Sequence, residues 1–203
     1  MRGLFITLEG IDGAGKSTHL QWLADRFRTR GRVVTTTREP GGTPVGEALR
    51  QVLLSSAHSV HPETEALIVF AARREHLERV ILPALEADNV VLCDRFTDAT
   101  FAYQGGGRGV SDARLEVLER WVQGDLEPNL TLFFDVPVEL GRQRVDQGGT
   151  LDRFERERND FFERVRAAYR ARAARHAARF RVIDGSMSLD EIRKELEKIV
   201  ISY

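Results

Sequence analysis

Short apolar runs alternate with longer helical patterns along the chain. Leu4–Leu8, Arg32–Thr36, Asn89–Cys93, Leu130–Phe134 and Phe180–Ile183 are short and apolar or β-branched, as strands buried on both faces of a parallel sheet should be. Helical stretches fall between them, at about 16–29, 44–54, 63–87, 112–123, 137–145, 155–178 and 188–201. Within 63–87, Thr64, Leu67, Ile68 and Ala71 make a partly apolar i, i+3, i+4, i+7 face, and Pro83 predicts a kink or a split. Strand–helix alternation without a long linker or repeat predicts one α/β domain with a parallel sheet over residues 1–203. Two segments break the pattern. Gln104–Gly109 is glycine-rich and reads as a loop whose backbone can approach a ligand. Asp146–Thr150 interrupts two helical patterns and is the candidate lid, within a segment of about 142–155.

Composition narrows the function. With a formal net charge of −1, a general nucleic-acid binder is disfavoured. The lone cysteine, Cys93, excludes an internal disulfide framework and multi-cysteine zinc sites. His58 and His61 lack a supporting cluster and read as loop residues. No apolar run approaches the roughly 20 residues that span a bilayer, and Leu4–Leu8 stops at Glu9, too early for a signal peptide. The expectation is a cytoplasmic protein with no membrane or nucleic-acid partner. From Arg142 to Arg181, 12 arginines stand against six acidic residues. Without interleaved aromatics they read as a solvated face with helical ion pairs such as Glu155–Arg158 and Asp160–Arg164.

The chemistry begins at Gly10-Ile11-Asp12-Gly13-Ala14-Gly15-Lys16-Ser17, followed by Thr18, which fits G-x-x-x-x-G-K-[ST] between a predicted strand and a predicted helix. Glycines let successive N–H groups turn around phosphate oxygens, and the helix N-terminus adds positive potential. Lys16 would reach the β- and γ-phosphates of ATP, and Ser17 would be a Mg²⁺ ligand. Lys16 is one of only three lysines, with Lys194 and Lys198, in a chain that otherwise uses arginine. No N-K-x-D guanine reader is present. The strand 89–93 runs into Asp94-Arg95, where an ATPase motor commonly has an acidic pair; a cation there suits an anionic acceptor better than an activated water. A kinase therefore outranks a hydrolase. Asp12, Glu39 and Asp94-Arg95 all follow strands and should converge at the carboxyl edge of the sheet. Phe70 and Arg74 lie one helical turn apart, as do Thr100 and Gln104, and each pair should share a face.

Together these motifs resemble the bacterial thymidylate kinases: G-I-D-G-A-G-K-S-T at 10–18, T-R-E-P-G-G-T at 37–43, F-A-A-R-R at 70–74, D-R-F at 94–96, A-Y-Q-G-G-G-R-G at 102–109 and L-D-R-F-E at 151–155. The resemblance implies a five-stranded P-loop sheet in the order 2-3-1-4-5, a homodimer, and transfer of the ATP γ-phosphoryl group to dTMP. It implies that Phe70 stacks on thymine, Arg74 bonds its carbonyl edge, and Thr100 and Gln104 complete the base pocket. Asp12 would face the deoxyribose or the acceptor end. Arg50 and Arg95 would clamp the dTMP phosphate, Glu39 would order that site, and Asp94 would support Mg²⁺. By the same spacing Arg73 is an ion-pair residue. The family carries a catalytic arginine either in the P-loop or in the lid. Gly13 leaves the P-loop without one, and Val145–Leu151 contains none, so Arg142, Arg144 and Arg153 are the candidates, with Arg153 favoured and Arg144 next. Phe96 also departs from the Tyr or His of many members. Competing readings are a kinase for another nucleoside or nucleotide and an ATP-dependent regulatory switch.

Overall fold

The computed structural model describes residues 3–55, 59–145 and 152–203. Five strands, β1 (Leu4–Glu9), β2 (Val34–Arg38), β3 (Val90–Asp94), β4 (Leu130–Asp135) and β5 (Phe180–Asp184), form one parallel sheet in the order β2-β3-β1-β4-β5. Every pairing is parallel, with Leu4 opposite Val90 and Ile6 opposite Leu130. β1 is buried along its whole length. Leu4, Ile6 and Leu8 enter the hydrophobic cluster on one side of the sheet, and Phe5 enters the other. That two-sided burial is why the strand reads as a continuous apolar run.

The helices are α1 (Lys16–Thr29), α2 (Pro44–Leu54), α3 (Pro62–His76), α4 (Leu82–Glu86), α5 (Thr97–Thr100), α6 (Asp112–Gln123), α7 (Val138–Val145), α8 (Asn159–Arg175) and α9 (Leu189–Val200). α9 opens on a capping box made by Ser188 and Glu191 and buries Ile192, Leu196 and Val200. His61 caps α3, its side chain accepting from the Glu63 N–H at 3.3 Å; His58 lies outside the described residues.

Three expectations change. The 63–87 helix does split, but over a π-helical turn at Leu77–Ile81, ahead of Pro83 in the first turn of α4. A wider turn accommodates a residue that has no N–H and whose ring crowds the carbonyl four residues back. Of the face assigned to that helix only Ile68 packs, partly buried, against the core. Thr64, Leu67 and Ala71 are exposed, whereas Glu65, Ala66, Val69, Phe70, Ala72, Arg73 and His76 are buried. Finally, Gln104–Gly107 is not a loop: Phe101–Gly107 is π-helical, continuing α5 and packing on α8, and only Arg108 and Gly109 leave the helix. Its glycines serve that packing. A Cβ on Gly106 would meet the Ala168 Cβ at 2.5 Å, and one on Gly107 would meet the Phe161 ring at 2.5 Å.

Most of the arginines from Arg142 to Arg181 are exposed, as a solvated face requires, but several pair with buried or half-buried carboxylates. Arg166 and Arg170 hold Asp135, and Arg172 and Arg179 clamp the fully buried Asp98 at 2.6 and 2.7 Å. Asp160–Arg164 forms at 3.1 Å as expected. Glu155 instead accepts from the Asp152 N–H, and Arg158 lies near Asp160. The parallel topology leaves the carboxyl ends of β1, β2 and β3 together, and the candidate site is there.

Candidate active site

After Glu9 the chain turns through three glycines with positive φ: Gly10 at 139°, Gly13 at 76° and Gly15 at 88°. Gly15 caps α1 in the left-handed region. At Gly13 a Cβ would lie 2.0 Å from the Gly141 carbonyl oxygen, because α7 is seated against the loop. No side chain fits there without moving α7. Ile11, Asp12 and Ala14 fill the loop between the glycines, and Ser17 and Thr18 are exposed in the first turn of α1. Lys16 Nζ donates to the carbonyls of Gly10 (3.0 Å) and Ile11 (2.9 Å). Burial, with Arg95 nearby, lowers its pKa. Ser17 Oγ donates to Asp94 Oδ2 at 3.5 Å, and Asp94 Oδ1 is buried without a hydrogen-bond partner.

Beside this loop lies a cavity whose walls include Asp12, Glu39, Arg50, Arg73, Arg95, Thr100 and Gln104. Arg95 has left-handed backbone, φ 68°. Its guanidinium donates to Gly10 O (2.8 Å), Asp12 Oδ1 (2.7 Å) and Tyr169 Oη (3.3 Å), and lies 4.8 Å from the Tyr103 ring centre. Tyr103 Oη donates to Asp12 Oδ2 at 3.2 Å. Burial pushes the Asp12 pKa up, but Arg95 and Lys16 outweigh it and hold the carboxyl below its ordinary value. Arg50 donates to Pro40 O at 3.0 Å. Behind Arg95, Glu9 accepts from the Phe96 N–H (2.7 Å) and Tyr169 Oη (2.9 Å). Burial, reinforced by Asp98, raises its pKa to about 7.

α3 meets the cavity one residue before each of Phe70 and Arg74, the pair expected there. Arg74 is half-exposed, pairs with Glu78 and donates to Val122 O, outside the cavity. Phe70 is buried in the cluster below, and Val69 lines the cavity in its place. Arg73 is only 1% exposed. It donates to Glu39 Oε2 (2.7 Å), Thr100 Oγ1 (2.8 Å) and Gln123 Oε1 (3.2 Å). Its guanidinium carbon lies 4.8 Å from the ring centres of both Phe70 and Phe96. Arg73 is thus an ion-pair residue, as expected, and also a cavity wall. One residue of helix is about 100° of rotation, enough to exchange inside for outside. The stripe Glu65, Val69, Arg73, His76 could have been found at i, i+4, i+8, i+11, but its charges disguise it as a solvated face. They are paired instead: His76 Nδ1 lies 3.0 Å from Glu39 Oε1, and His76 Nε2 lies 2.6 Å from Thr37 Oγ1.

Thr100 and Gln104 both line the cavity. Arg153 does not reach the P-loop: it donates to Leu53 O (2.8 Å) and Glu65 Oε1 (2.6 Å), tying the segment after the candidate lid to α2 and α3. Arg144 donates to Gly13 O at 3.2 Å, and Arg142 lines a smaller pocket with Ile11 and Asp12. The L-D-R-F-E motif favours Arg153, but the turn at 152–157 directs its side chain to Leu53 and Glu65. Asp146–Leu151, with the core of the candidate lid, lies outside the described residues.

A five-stranded parallel sheet in this order, with a glycine loop between β1 and α1 that ends in Lys16 and Ser17, defines a P-loop nucleotide-binding α/β protein. The profile of the thymidylate kinase family matches residues 8–196. Curated relatives named thymidylate kinase include that of Nitrosomonas eutropha, 61% identical over 202 residues that cover 100% of this chain and 94% of the relative. Those of Cupriavidus taiwanensis and Nitrosospira multiformis are 61% and 58% identical, with 98% of each chain covered. The chain belongs to the thymidylate kinase family. Among the described residues no helix is long and apolar enough to cross a membrane.

Proposed function

We propose that the protein transfers the γ-phosphoryl group of ATP to dTMP, giving ADP and dTDP, a step toward dTTP. The observation that carries this reading is one continuous cavity. It starts at Asp12 and Arg95 against the P-loop and ends at Arg73, Thr100 and Gln104. Its near end suits a phosphate and its far end a base.

The P-loop amides and Lys16 would bind the β- and γ-phosphates of ATP. Arg50 and Arg95 would hold the dTMP phosphate, with Asp12 keeping Arg95 in place and facing the sugar beside Tyr103. The acceptor is already an oxyanion, so no general base is needed. Alignment and charge neutralisation lower the barrier. Ser17 and the unpartnered oxygen of Asp94 fit a divalent cation, and these residues would hold Mg²⁺, which when bound neutralises charge on the transferring phosphates. Glu39 would order the acceptor site by fixing Arg73. Arg144 and Arg142, which already touch the P-loop side, are the arginines proposed to reach the transferring group; Arg153 anchors the segment instead. At the base, Arg73 takes the carbonyl-reading role first given to Arg74, and Val69 takes the apolar place first given to Phe70.

A coupled ADP-release assay tests this reading. ATP turnover is expected to be strong with dTMP and weak with AMP, CMP or thymidine; no stimulation by any acceptor would remove a kinase from consideration.

The protein is also proposed to be a homodimer. Val117 and Trp121 sit one turn apart on α6, 62% and 81% exposed, and Leu67 is exposed on α3, which packs against α6. Large apolar groups left in water on adjoining helices mark an association surface. Trp121→Glu should convert a dimer into a monomer in analytical ultracentrifugation, and a wild-type chain that sediments as a monomer at micromolar concentration would contradict the proposal.

A further inference from the structure

Glu65 is a buried carboxylate that the proposed mechanism does not use. It lies on α3, two turns before Arg73, and is 1% exposed. Its Oε1 accepts from Arg153 Nη1 at 2.6 Å, and its Oε2 accepts from Arg108 Nε at 3.2 Å. Its Oε2 faces Gln104 Nε2 at 3.5 Å. Gln104 comes from the π-helical segment and lines the far end of the cavity.

We propose that Glu65 is a positioning residue that fixes the orientation of the Gln104 amide and so makes the acceptor site selective for a pyrimidine whose N3 carries a hydrogen. The inference rests on the dTMP reading above. A carboxylate flanked by two guanidinium groups offers acceptors only. The Gln104 amide must therefore turn its NH₂ toward Glu65, which leaves its carbonyl oxygen to face the nucleotide. Arg73, on the same wall and bonded to Thr100 four residues before Gln104, offers donors only. The wall then presents a donor beside an acceptor. Thymine and uracil present the complement, a carbonyl at C4 and N3–H. Cytosine presents an amino group at C4 and a lone pair at N3, and would meet donor with donor and acceptor with acceptor. An unfixed amide could turn over and satisfy either N3, so the fixing itself carries part of the selectivity. A site built to hydrogen-bond one edge rejects the other far more strongly than an apolar pocket rejects a methyl difference.

Glu65→Gln removes the constraint with little change in shape, because an amide can offer Gln104 either a donor or an acceptor. The test compares kcat/KM for dTMP and dCMP in the full chain, for wild type, E65Q, Q104L and the double variant. Dissociation constants read the same ratio where dCMP turnover is too slow to follow. E65Q is expected to narrow the dTMP-to-dCMP ratio by roughly ten- to a hundredfold, to raise KM for dTMP and to leave KM for ATP within about twofold of wild type. In the Q104L background it should narrow the ratio no further, because Glu65 acts through that amide. A purely structural role would lower kcat/KM for both nucleotides by one factor, or would act equally in both backgrounds; either result overturns the proposal. Wild type that turns over dTMP beside an E65Q with an unchanged ratio defeats this inference alone, whereas wild type inactive on dTMP defeats the functional reading beneath it.

Should E65Q not fold, nitrogen-15 NMR of the wild-type chain supplies the test. The Gln104 side-chain NH₂ is expected to exchange slowly with solvent and to stay beside Glu65 when dTMP binds. A nuclear Overhauser contact from that NH₂ to the thymine N3–H would mean that the amide faces the base the other way, and would refute the assignment.

Discussion

Lys16→Ala is expected to lower kcat for dTMP phosphorylation by roughly 10³-fold, the loss typical of removing one preorganised group from a developing anionic transition state. The ammonium is held by the Gly10 and Ile11 carbonyls inside the P-loop. It is therefore oriented before ATP arrives and needs no reorganisation during transfer. Arginine should not rescue it. The chain uses arginine almost everywhere else, but a planar guanidinium is too broad for a pocket bounded by two loop carbonyls. Circular dichroism and melting temperature should stay near wild type, since Lys16 makes no ion pair among the described contacts. A folded K16A retaining more than about a tenth of wild-type kcat would remove Lys16 from the chemistry.

Arg73→Met should be the second large effect, and Arg74→Met the control beside it. Arg73 holds Glu39, Thr100 and Gln123 together from a position shut off from water. Its loss leaves Glu39 with His76 as its remaining ring partner, at a cost of about 3–5 kcal/mol in stability for breaking a buried pair. Where the variant is still folded, kcat/KM for dTMP should fall by roughly 10²- to 10³-fold while KM for ATP stays within about threefold. Arg73→Lys keeps the charge but not the fork, so it should recover stability better than dTMP affinity. Arg74, half-exposed and paired along its own helix with Glu78, should tolerate Met with less than about a threefold change. A larger penalty at Arg74 than at Arg73 would mean that α3 presents its other face to the substrate in solution.

These two positions also separate what was legible in the sequence from what was not. Lys16 is placed by local geometry: glycines on either side, a strand before, a helix after. The carbonyls that accept from it, those of Gly10 and Ile11, lie within the same loop, so the motif carries them. Arg73 is placed by which side of α3 meets the sheet. That side carries Glu65, Arg73 and His76, and hydrophobic periodicity looks past charged residues to Leu67 and Ile68. The buried charges are stable because Glu39, Thr100, Arg108 and Arg153 meet them, and those partners lie 27 to 88 positions away in the chain. The glycines of 105–107 were misleading for a related reason. Glycine lets a loop bend, but it also lets two helices close to contact distance, and only Ala168 and Phe161 on the opposing helix tell the two uses apart.

By itself the sequence determined the sheet, its parallel strands, the phosphate loop and the family, because each is written in short-range pattern: runs of β-branched and apolar residues, glycine spacing, and motifs in fixed order. Tertiary structure alone decided which arginine of α3 lines the cavity, which arginines approach the P-loop, and which end of the Gln104 amide faces Glu65. Those outcomes depend on helix rotation and on pairing between distant charged groups. A rotation of one residue moves a side chain from cavity to solvent without changing a letter of the pattern.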